Sequence, residues 1–133
     1  MKLRNLYDNI RSACIDVYDH LGPGHSESIY HQAVLAEFRN RNIRYDSEVI
    51  FPVKYKYGHI VGHFRCDIVV REGSYVVIIE LKAIGREIFK PNDGEILQIK
   101  KYINHTDINN GLLVNFPQRS SSKVVFQEFI GDK

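Results

Sequence analysis

The sequence has no tryptophan, only two cysteines, four prolines and nine glycines among its 133 residues. Two cysteines are too few for a disulfide framework, and neither Cys14 nor Cys66 belongs to a spacing that would bind zinc. Few glycines and prolines exclude a collagen-like chain, and 44% hydrophobic with 11% aromatic residues exclude a disordered one. The cysteine content favours a reduced, intracellular protein.

The sequence also has little net charge and no long apolar run. The formal net charge is +2 with histidine neutral, which excludes a polycation whose whole surface binds phosphate. No run of 18 apolar residues occurs, and the first residues lead into an amphipathic stretch rather than the apolar core of a signal peptide. We therefore expect a soluble cytoplasmic or nuclear protein with no membrane partner.

The length allows one hydrophobic core but not separate catalytic and binding domains, so we expect a single domain over 1–133. Apolar side chains recur every three or four residues over 3–21, which predicts a first helix. A second helix, capped by Ser26, runs to about Arg41, and Asn42 is a plausible left-handed stop. The residues expected to face inward from the second helix are Ile29, Ala33, Val34 and Phe38.

Five further segments have the period of two or the continuous apolar character of β-strands. They cover about 45–58, 60–71, 75–83, 112–116 and 123–129. A third helix precedes the fourth strand; Asn92 or Asp93 caps it, and its inward-facing residues are Ile96, Ile99 and Ile103. Pro52 indicates an edge strand or a bulge. This order predicts an α/β (α+β) sandwich, in which a mixed sheet contains a three-strand meander and a helical crossover, with helices on both faces.

The turn at 72–75 sets the expected register of the second and third strands. Its Gly-Ser pair suits a two-residue type II′ loop, which places Asp67 opposite Glu80. The same register pairs Arg65 with Lys82. Because opposed side chains on one face have Cβ atoms about 4.5–5.5 Å apart, we expect two carboxylates and a lysine to lie close together.

Two adjacent carboxylates repel each other unless a cation lies between them or one of them stays protonated. An all-oxygen ligand set, completed by the backbone carbonyl of Leu81, suits Mg²⁺ or Mn²⁺ better than zinc. Alternatively, Asp67 and Glu80 lie on a solvated face and pair with Arg65 and Lys82 across the strands. The apolar residues around Glu80 count against this alternative.

These residues resemble the PD-(D/E)XK nuclease superfamily, in which an Asp ends one strand and a Glu-x-Lys lies on the next. The matching residues are Asp67 and the Glu-x-Lys of 80–82, with Cys66 where the superfamily pattern has proline. Residues 24–30 spell the G-x-x-E-x-x-Y signature of the GxxExxY family of this superfamily. The stretches 64–70, 98–102 and 111–116 look like later blocks of that family. The resemblance covers roughly 3–129 and implies a restriction-endonuclease-like fold.

The resemblance implies a role for each acidic and basic site residue. Asp67 and Glu80 would bind the metal together with the carbonyl of Leu81. Lys82 would orient the attacking water or stabilise charge on the phosphate. Glu27 is similar to the additional acid with which many members hold a second ion or a water.

Other residues would support this site. Gly24 would allow Glu27 to approach the sheet, and Gln98 resembles a glutamine that reaches the site in many members. Tyr102 shares the helix face of Gln98, while Tyr30 is expected to pack and to form hydrogen bonds. Four cations, Arg86, Lys90, Lys100 and Lys101, are either a phosphate track or ordinary solvated charges.

The resemblance therefore implies a nuclease that uses Mg²⁺ or Mn²⁺ and acts on DNA or, second, on RNA. Two alternatives remain: a nuclease-fold protein that no longer cuts and binds nucleic acid or a protein partner, and an assembly module with structural carboxylates. The joint presence of Glu27, Asp67, Glu80 and Lys82 favours the enzyme. Because little excess charge is available to hold a duplex, we expect a homodimer or a partner protein to supply affinity.

Overall fold

The computed structural model of the chain describes residues 2–85, 90, 93–119 and 122–131. The elements are α1 (Leu3–Leu21), α2 (Glu27–Asn40), β1 (Tyr45–Lys54), a short 3₁₀ turn (Lys56–Gly58), β2 (Ile60–Glu72), β3 (Tyr75–Lys82), α3 (Gly94–Asn104), β4 (Asn110–Asn115) and β5 (Val125–Phe129). The five strands form one sheet in the order β1-β2-β3-β4-β5. Neighbours are antiparallel except β3 and β4, which are parallel and joined through α3. The expected meander and crossover are confirmed.

The helices cover both faces of the sheet. On one face, Ile10 of α1 and Phe38 of α2 pack in one core with Ile79 of β3. On the other face, Ile99 of α3 packs against Leu113 of β4. The expected arrangement of helices is confirmed. Within the part of the chain that the structure describes, no helix is long and apolar enough to cross a membrane.

The second helix begins and ends as expected but buries a different stripe. Ser26 at the N-cap accepts a hydrogen bond from the backbone N–H of Ile29, and Asn42 has a φ of 57° just beyond the helix. The expectation that Ile29 faces inward is wrong, because its side chain is exposed and Tyr30 and Leu35 occupy buried positions instead. Neighbouring positions on a helix differ by about 100°, so burial of Tyr30 turns Ile29 outward.

The third helix differs from expectation at its cap and on its inner face. Asp93 occupies the N-cap position, but its carboxylate accepts a hydrogen bond from the N–H of Lys90 at 2.8 Å and does not cap the helix. Asn92, the other candidate cap, lies outside the described residues. Tyr102 completes the buried stripe, whereas Ile103 is only half-buried.

The first strand is shorter than expected. It ends at Lys54, after a shift of register, because Tyr57 and Gly58 have φ values of 58° and 79° that no extended strand accommodates. Pro52 lies on the edge strand of the sheet, as its missing N–H requires. The last residues before Gly58 therefore form a turn between β1 and β2.

The side chains of β2 change faces of the sheet at Asp67. Ile68 and Val70 pack into the core formed with α1 and α2, whereas Phe64 and Cys66 pack into a second core with α3. In an uninterrupted strand these four even-numbered residues would share one face. The alternation of β2 is therefore broken at Asp67.

The partner strand changes faces at the same rung. Tyr45 packs against the core of α1 and α2, whereas Val49 and Phe51 pack against the second core. The register is the same on both sides of the rung of Glu48 and Asp67, which itself forms no backbone pair. Glu48 has a φ of 54°, in the left-handed region. The two strands thus exchange faces together, without a change of register.

Candidate active site

The hairpin of β2 and β3 places the candidate site at the end of its backbone ladder. Its two-residue loop at 72–75 has the expected register, and Gly73 has a φ of 58°. The backbone pairs end at Ile68 and Ile79. The expected pairing of Arg65 with Lys82 is wrong, because Arg65 lies beyond this ladder and pairs with β1 instead. The change of faces at Asp67 explains why the ladder ends there.

Side chains replace the backbone ladder just beyond this point. The N–H of Asp67 donates to Oε1 of Glu80 at 3.0 Å, and the N–H of Leu81 donates to Oδ2 of Asp67 at 2.9 Å. Each carboxyl group thus accepts a hydrogen bond from the backbone of the other strand. The structure brings Asp67 and Glu80 together in the seam between β2 and β3 and fixes both carboxyl groups there.

The carboxyl group of Glu80 is buried, and no cation among the described residues lies at hydrogen-bond distance from it. Its residue is 3% exposed. Burial raises the pKa of Glu80 above its usual range, and the charge of the nearby Asp67 raises it further, while Lys82 lowers it by less. Arg65 forms its ion pair with Glu48, at 3.8 Å, on the exposed surface. The alternative of a solvated face with pairs across the strands is therefore wrong.

Glu27, the first residue of α2, lies close enough to this seam to interact electrostatically with it. Burial raises the pKa of Glu27, with Lys82 lowering it and Asp67 raising it. Within the described ranges, however, no three His, Cys, Asp or Glu side chains are close enough to hold one metal ion. The role of Glu27 in holding a second ion or a water stays a prediction.

Tyr30 and Gly24 shape the loop that precedes Glu27. The Tyr30 hydroxyl donates to the carbonyl of Gly22 at 2.7 Å, and its ring stacks on Phe116 at 4.3 Å between centroids. Gly24 has a φ of 92°, which favours glycine at this position. The buried tyrosine therefore fixes the start of α2, and with it the place of Glu27.

The chain that leaves β3 after Lys82 is held by a residue that the sequence analysis did not assign. Asn115 is buried, accepts a hydrogen bond from the N–H of Ile84 at 2.9 Å and donates to its carbonyl at 3.2 Å. The N–H of Phe116 also donates to the carbonyl of Lys82 at 2.8 Å. The only sequence signal was a polar residue at the end of an apolar strand. Asn115 thus positions the backbone around Lys82.

Gln98 and Tyr102 lie on the α3 side of the site. Gln98 donates to the Tyr102 hydroxyl, and the Tyr102 ring stacks on Phe64 with 4.5 Å between centroids. Burial raises the pKa of Tyr102 to about 12, and the charge of Glu80 adds to the effect. Tyr102 therefore lies close to the carboxyl pair. The hydrogen bond described for Gln98 is the one to Tyr102, so the catalytic role of Gln98 stays a prediction.

The expected phosphate track is only partly described. Arg86 lies outside the described residues, while Lys90, Lys100 and Lys101 are exposed. The Lys101 ammonium lies 5.7 Å from the centre of the Tyr102 ring. The track stays a prediction.

A family model for the PD-(D/E)XK nuclease superfamily matches residues 4–127. The chain belongs to the PD-(D/E)XK nuclease superfamily, and its mixed sheet with three helices is the restriction-endonuclease-like fold of that superfamily. The superfamily expected from the sequence is confirmed. Membership of the GxxExxY family stays a prediction.

The solved structures support the fold. The chain is similar to the protein in the crystal structure of SSO0001, with a TM-score of 0.61 and 19% identity over 80% of this chain. The match covers 51% of SSO0001, so the chain spans about half the length of that protein. At this identity the similarity shows the fold alone. No curated protein matches the chain.

Proposed function

We propose that the protein is a metal-dependent nuclease that hydrolyses phosphodiester bonds in DNA. The observation that carries this proposal is the pair of Asp67 and Glu80, whose carboxyl groups are fixed in one seam by the backbone of opposite strands. Ionising both groups costs free energy because Glu80 is buried beside Asp67. A divalent cation bound between the two carboxylates offsets this cost, so the pair is suited to bind the metal ion of a nuclease.

The residues present fit Mg²⁺ or Mn²⁺. Oδ1 of Asp67 and Oε2 of Glu80 are not used in the two seam hydrogen bonds, and the carbonyl of Leu81 supplies a third oxygen between Glu80 and Lys82. Hard divalent cations prefer such oxygen ligands and complete their shell with water. When bound, the ion lowers the pKa of a water and neutralises charge on the phosphate.

Lys82 and Glu27 then act on the reacting groups. Lys82 stands two residues beyond Glu80 on β3, where its ammonium group stabilises the negative charge that develops on the phosphate. Glu27 approaches from α2 and holds a water by accepting its hydrogen bond. Asn115 is a positioning residue, because it fixes the backbone that follows Lys82.

Cleavage assays on single-stranded, duplex and branched DNA and on RNA, with Mg²⁺, Mn²⁺ or EDTA, test this proposal. We expect Asp67→Asn and Lys82→Ala to lower metal-dependent cleavage by about 10² or more while the far-ultraviolet circular dichroism is unchanged. Asp46→Asn and Lys2→Ala are matched controls, since Asp46 is an exposed β1 residue paired with Arg71, and both should cut within twofold of wild type.

The proposal is wrong if wild type cuts none of these substrates and calorimetry detects no binding of Mg²⁺ or Mn²⁺. Nucleic acid binding without cleavage would instead identify the protein as an inactive nuclease-fold binder. The expected homodimer or partner protein is a separate proposal, which rests on the small formal net charge of +2 in one chain. Sedimentation with and without a DNA oligonucleotide checks it, and a monomer that binds DNA alone contradicts it.

A further inference from the structure

Part of the β1–β2 hairpin extends beyond the sheet and the candidate site. Strand β2 has 13 residues and β3 has only eight, and β2 pairs with β3 only from Ile68 onward. The rest of β2 pairs with β1 alone. We call residues 49–66 the ribbon. It begins directly next to Asp67.

The ribbon concentrates positive charge. Residues 49–66 contain Lys54, Lys56, Arg65 and two histidines, and no Asp or Glu. Since the whole chain has a formal charge of only +2 and the ribbon contributes +3, the remaining residues have a formal charge of −1. The ribbon therefore carries an excess of cations that the rest of the sequence lacks.

One face of the ribbon is open because of the change of faces at Asp67. Phe51 and Phe64 lie opposite each other and pack on the α3 side. On the other face, Ile50 lies opposite Arg65 and is 58% exposed, and Val61, at the register shift, is 64% exposed. This open face combines apolar surface with a cation and leads to the carboxyl pair.

The tip of the ribbon holds an aromatic ring out in solvent. The N–H of Tyr55 donates to the carbonyl of His59 at 2.7 Å, which closes the turn. Tyr57 is 97% exposed and has a φ of 58°, a conformation that costs a bulky residue free energy and that glycine adopts freely. The turn itself thus gives no folding reason for tyrosine at this position. Residues in such conformations cluster at functional sites, and Tyr57, unlike Asn42 and Glu48, presents an aromatic ring to solvent.

We propose that the ribbon binds a single-stranded segment of nucleic acid next to the candidate active site. Lys54 and Lys56 contact its phosphates, and the ring of Tyr57 stacks on an unpaired base. Arg65 exchanges its long, exposed ion pair with Glu48 for a phosphate. Exposed aromatic rings and cations along one path are the means by which proteins hold unpaired strands, because every base has a face that stacks. The inference rests on the proposed function, since it delivers a phosphodiester to Asp67 and Glu80.

The charge contribution is tested by binding without cleavage. We expect Lys54→Ala/Lys56→Ala to weaken binding of a fluorescent 20-nucleotide single strand in EDTA, measured by anisotropy over a salt series. The slope of log K against log salt should fall in magnitude by about 1.4, from two lost phosphate contacts. Lys2→Ala/Lys123→Ala removes the same charge outside the ribbon and should keep the wild-type slope. Equal slopes for the two double variants overturn the inference.

The ring is tested at Tyr57 with two substitutions. Tyr57→Gly suits the backbone and removes the ring, so affinity for the single strand should fall about tenfold. Tyr57→Phe keeps a stacking face and should bind within twofold of wild type. The inference is wrong if Tyr57→Gly binds like wild type, or if Tyr57→Phe loses as much affinity. It is also wrong if Tyr57→Gly weakens a blunt duplex as much as the single strand.

Failure of this inference and failure of the proposed function are distinguishable. If wild type binds single strands through the ribbon but neither cuts with Mg²⁺ or Mn²⁺ nor binds either ion, the nuclease proposal fails and the ribbon proposal holds. If wild type cuts and the ribbon variants both bind and cut like wild type, the nuclease proposal holds and the ribbon proposal fails.

Discussion

Two glutamates of the same sheet have opposite electrostatic surroundings. Glu128 on β5 accepts hydrogen bonds from Arg4 at 2.8 Å and from Arg11 at 3.0 Å, and the bond with Arg4 is the main cause that lowers its pKa. Glu80 on β3 is buried beside Asp67, and burial raises its pKa. Glu128 ties α1 to the edge of the sheet, whereas the chain gives Glu80 no comparable cation within the described residues. Glu128 thus stabilises the fold through its ion pairs, whereas Glu80 has the kind of raised pKa that is common at functional sites.

The largest expected effect separates the two glutamates by activity. Glu80→Gln should reduce metal-dependent cleavage by about 10² or more, because an amide cannot neutralise the bound ion. Glu128→Gln should cut within twofold of wild type, yet lower Tm by roughly 2–5 °C, because it weakens an exposed ion-pair cluster. Initial rates and thermal unfolding measure both effects. Equal loss of cleavage in the two variants would remove the distinction.

Asn115 offers a test of the framework around the site. Asn115→Ala should lower the free energy of unfolding by about 1–3 kcal/mol, since it leaves the N–H and carbonyl of Ile84 without their partner. It should also lower the cleavage rate, because the backbone that follows Lys82 loses the hydrogen bonds that position it. Asn110→Ala, at the other end of β4, is the control and should reduce only stability. Urea unfolding and cleavage rates are the measurements, and unchanged cleavage in Asn115→Ala contradicts the positioning role.

The next largest expected effect is the stabilisation of the folded protein by a bound metal ion. A metal ion that binds only the folded protein adds about 2.7 kcal/mol to the free energy of unfolding at a hundredfold excess over Kd. Mg²⁺ or Mn²⁺ should therefore raise Tm in wild type and in Glu128→Gln but not in Glu80→Gln. A rise of Tm in all three proteins would show that the ion binds elsewhere.

The smallest expected effect is on the pH dependence of the metal-free protein. The raised pKa of Glu80 means that the folded state binds the proton more tightly than the unfolded state, so this contribution to stability declines as pH rises above about 4.5. For Glu128, with a lowered pKa, the contribution is present at neutral pH and is lost on acidification. Tm should thus decline less with rising pH in Glu80→Gln than in wild type, and fall less in acid in Glu128→Gln. Parallel pH profiles of all three proteins contradict the assignment.

Local sequence signals were sufficient for much of the fold. The apolar period over 3–21 matches α1, and the Gly-Ser turn gives the register of β2 and β3 down to Ile68 and Ile79. Both signals depend only on neighbours in the sequence. The juxtaposition of Asp67 and Glu80 follows from that register.

Tertiary contacts decided what the sequence signals missed. Ile29 and Tyr30 are both apolar enough for burial, and the stack of Tyr30 on Phe116 selects which one turns inward. The change of faces depends on the left-handed backbone of Glu48, which no residue preference indicates. The role of Asn115 depends on a loop 31 residues earlier in the chain. Sequence patterns therefore identified the carboxyl pair but not the framework that holds it.

The change of faces at Asp67 leaves the two parts of one hairpin unequally packed: Phe64 and Cys66 contact only the core next to α3, whereas the segment from Ile68 to Val70 contributes to both cores. We therefore expect the two parts to differ in the free energy of local opening. Hydrogen exchange should show amides of 68–70 and 77–79 protected nearly to global unfolding and those of 50–65 opening at lower free energy. The Leu81 N–H holds the Asp67 carboxylate from the side of β3, so we expect that bond to persist when the ribbon opens. If both proposals hold, the segment that binds the strand and the carboxyl pair that acts on it meet at a single residue, Asp67.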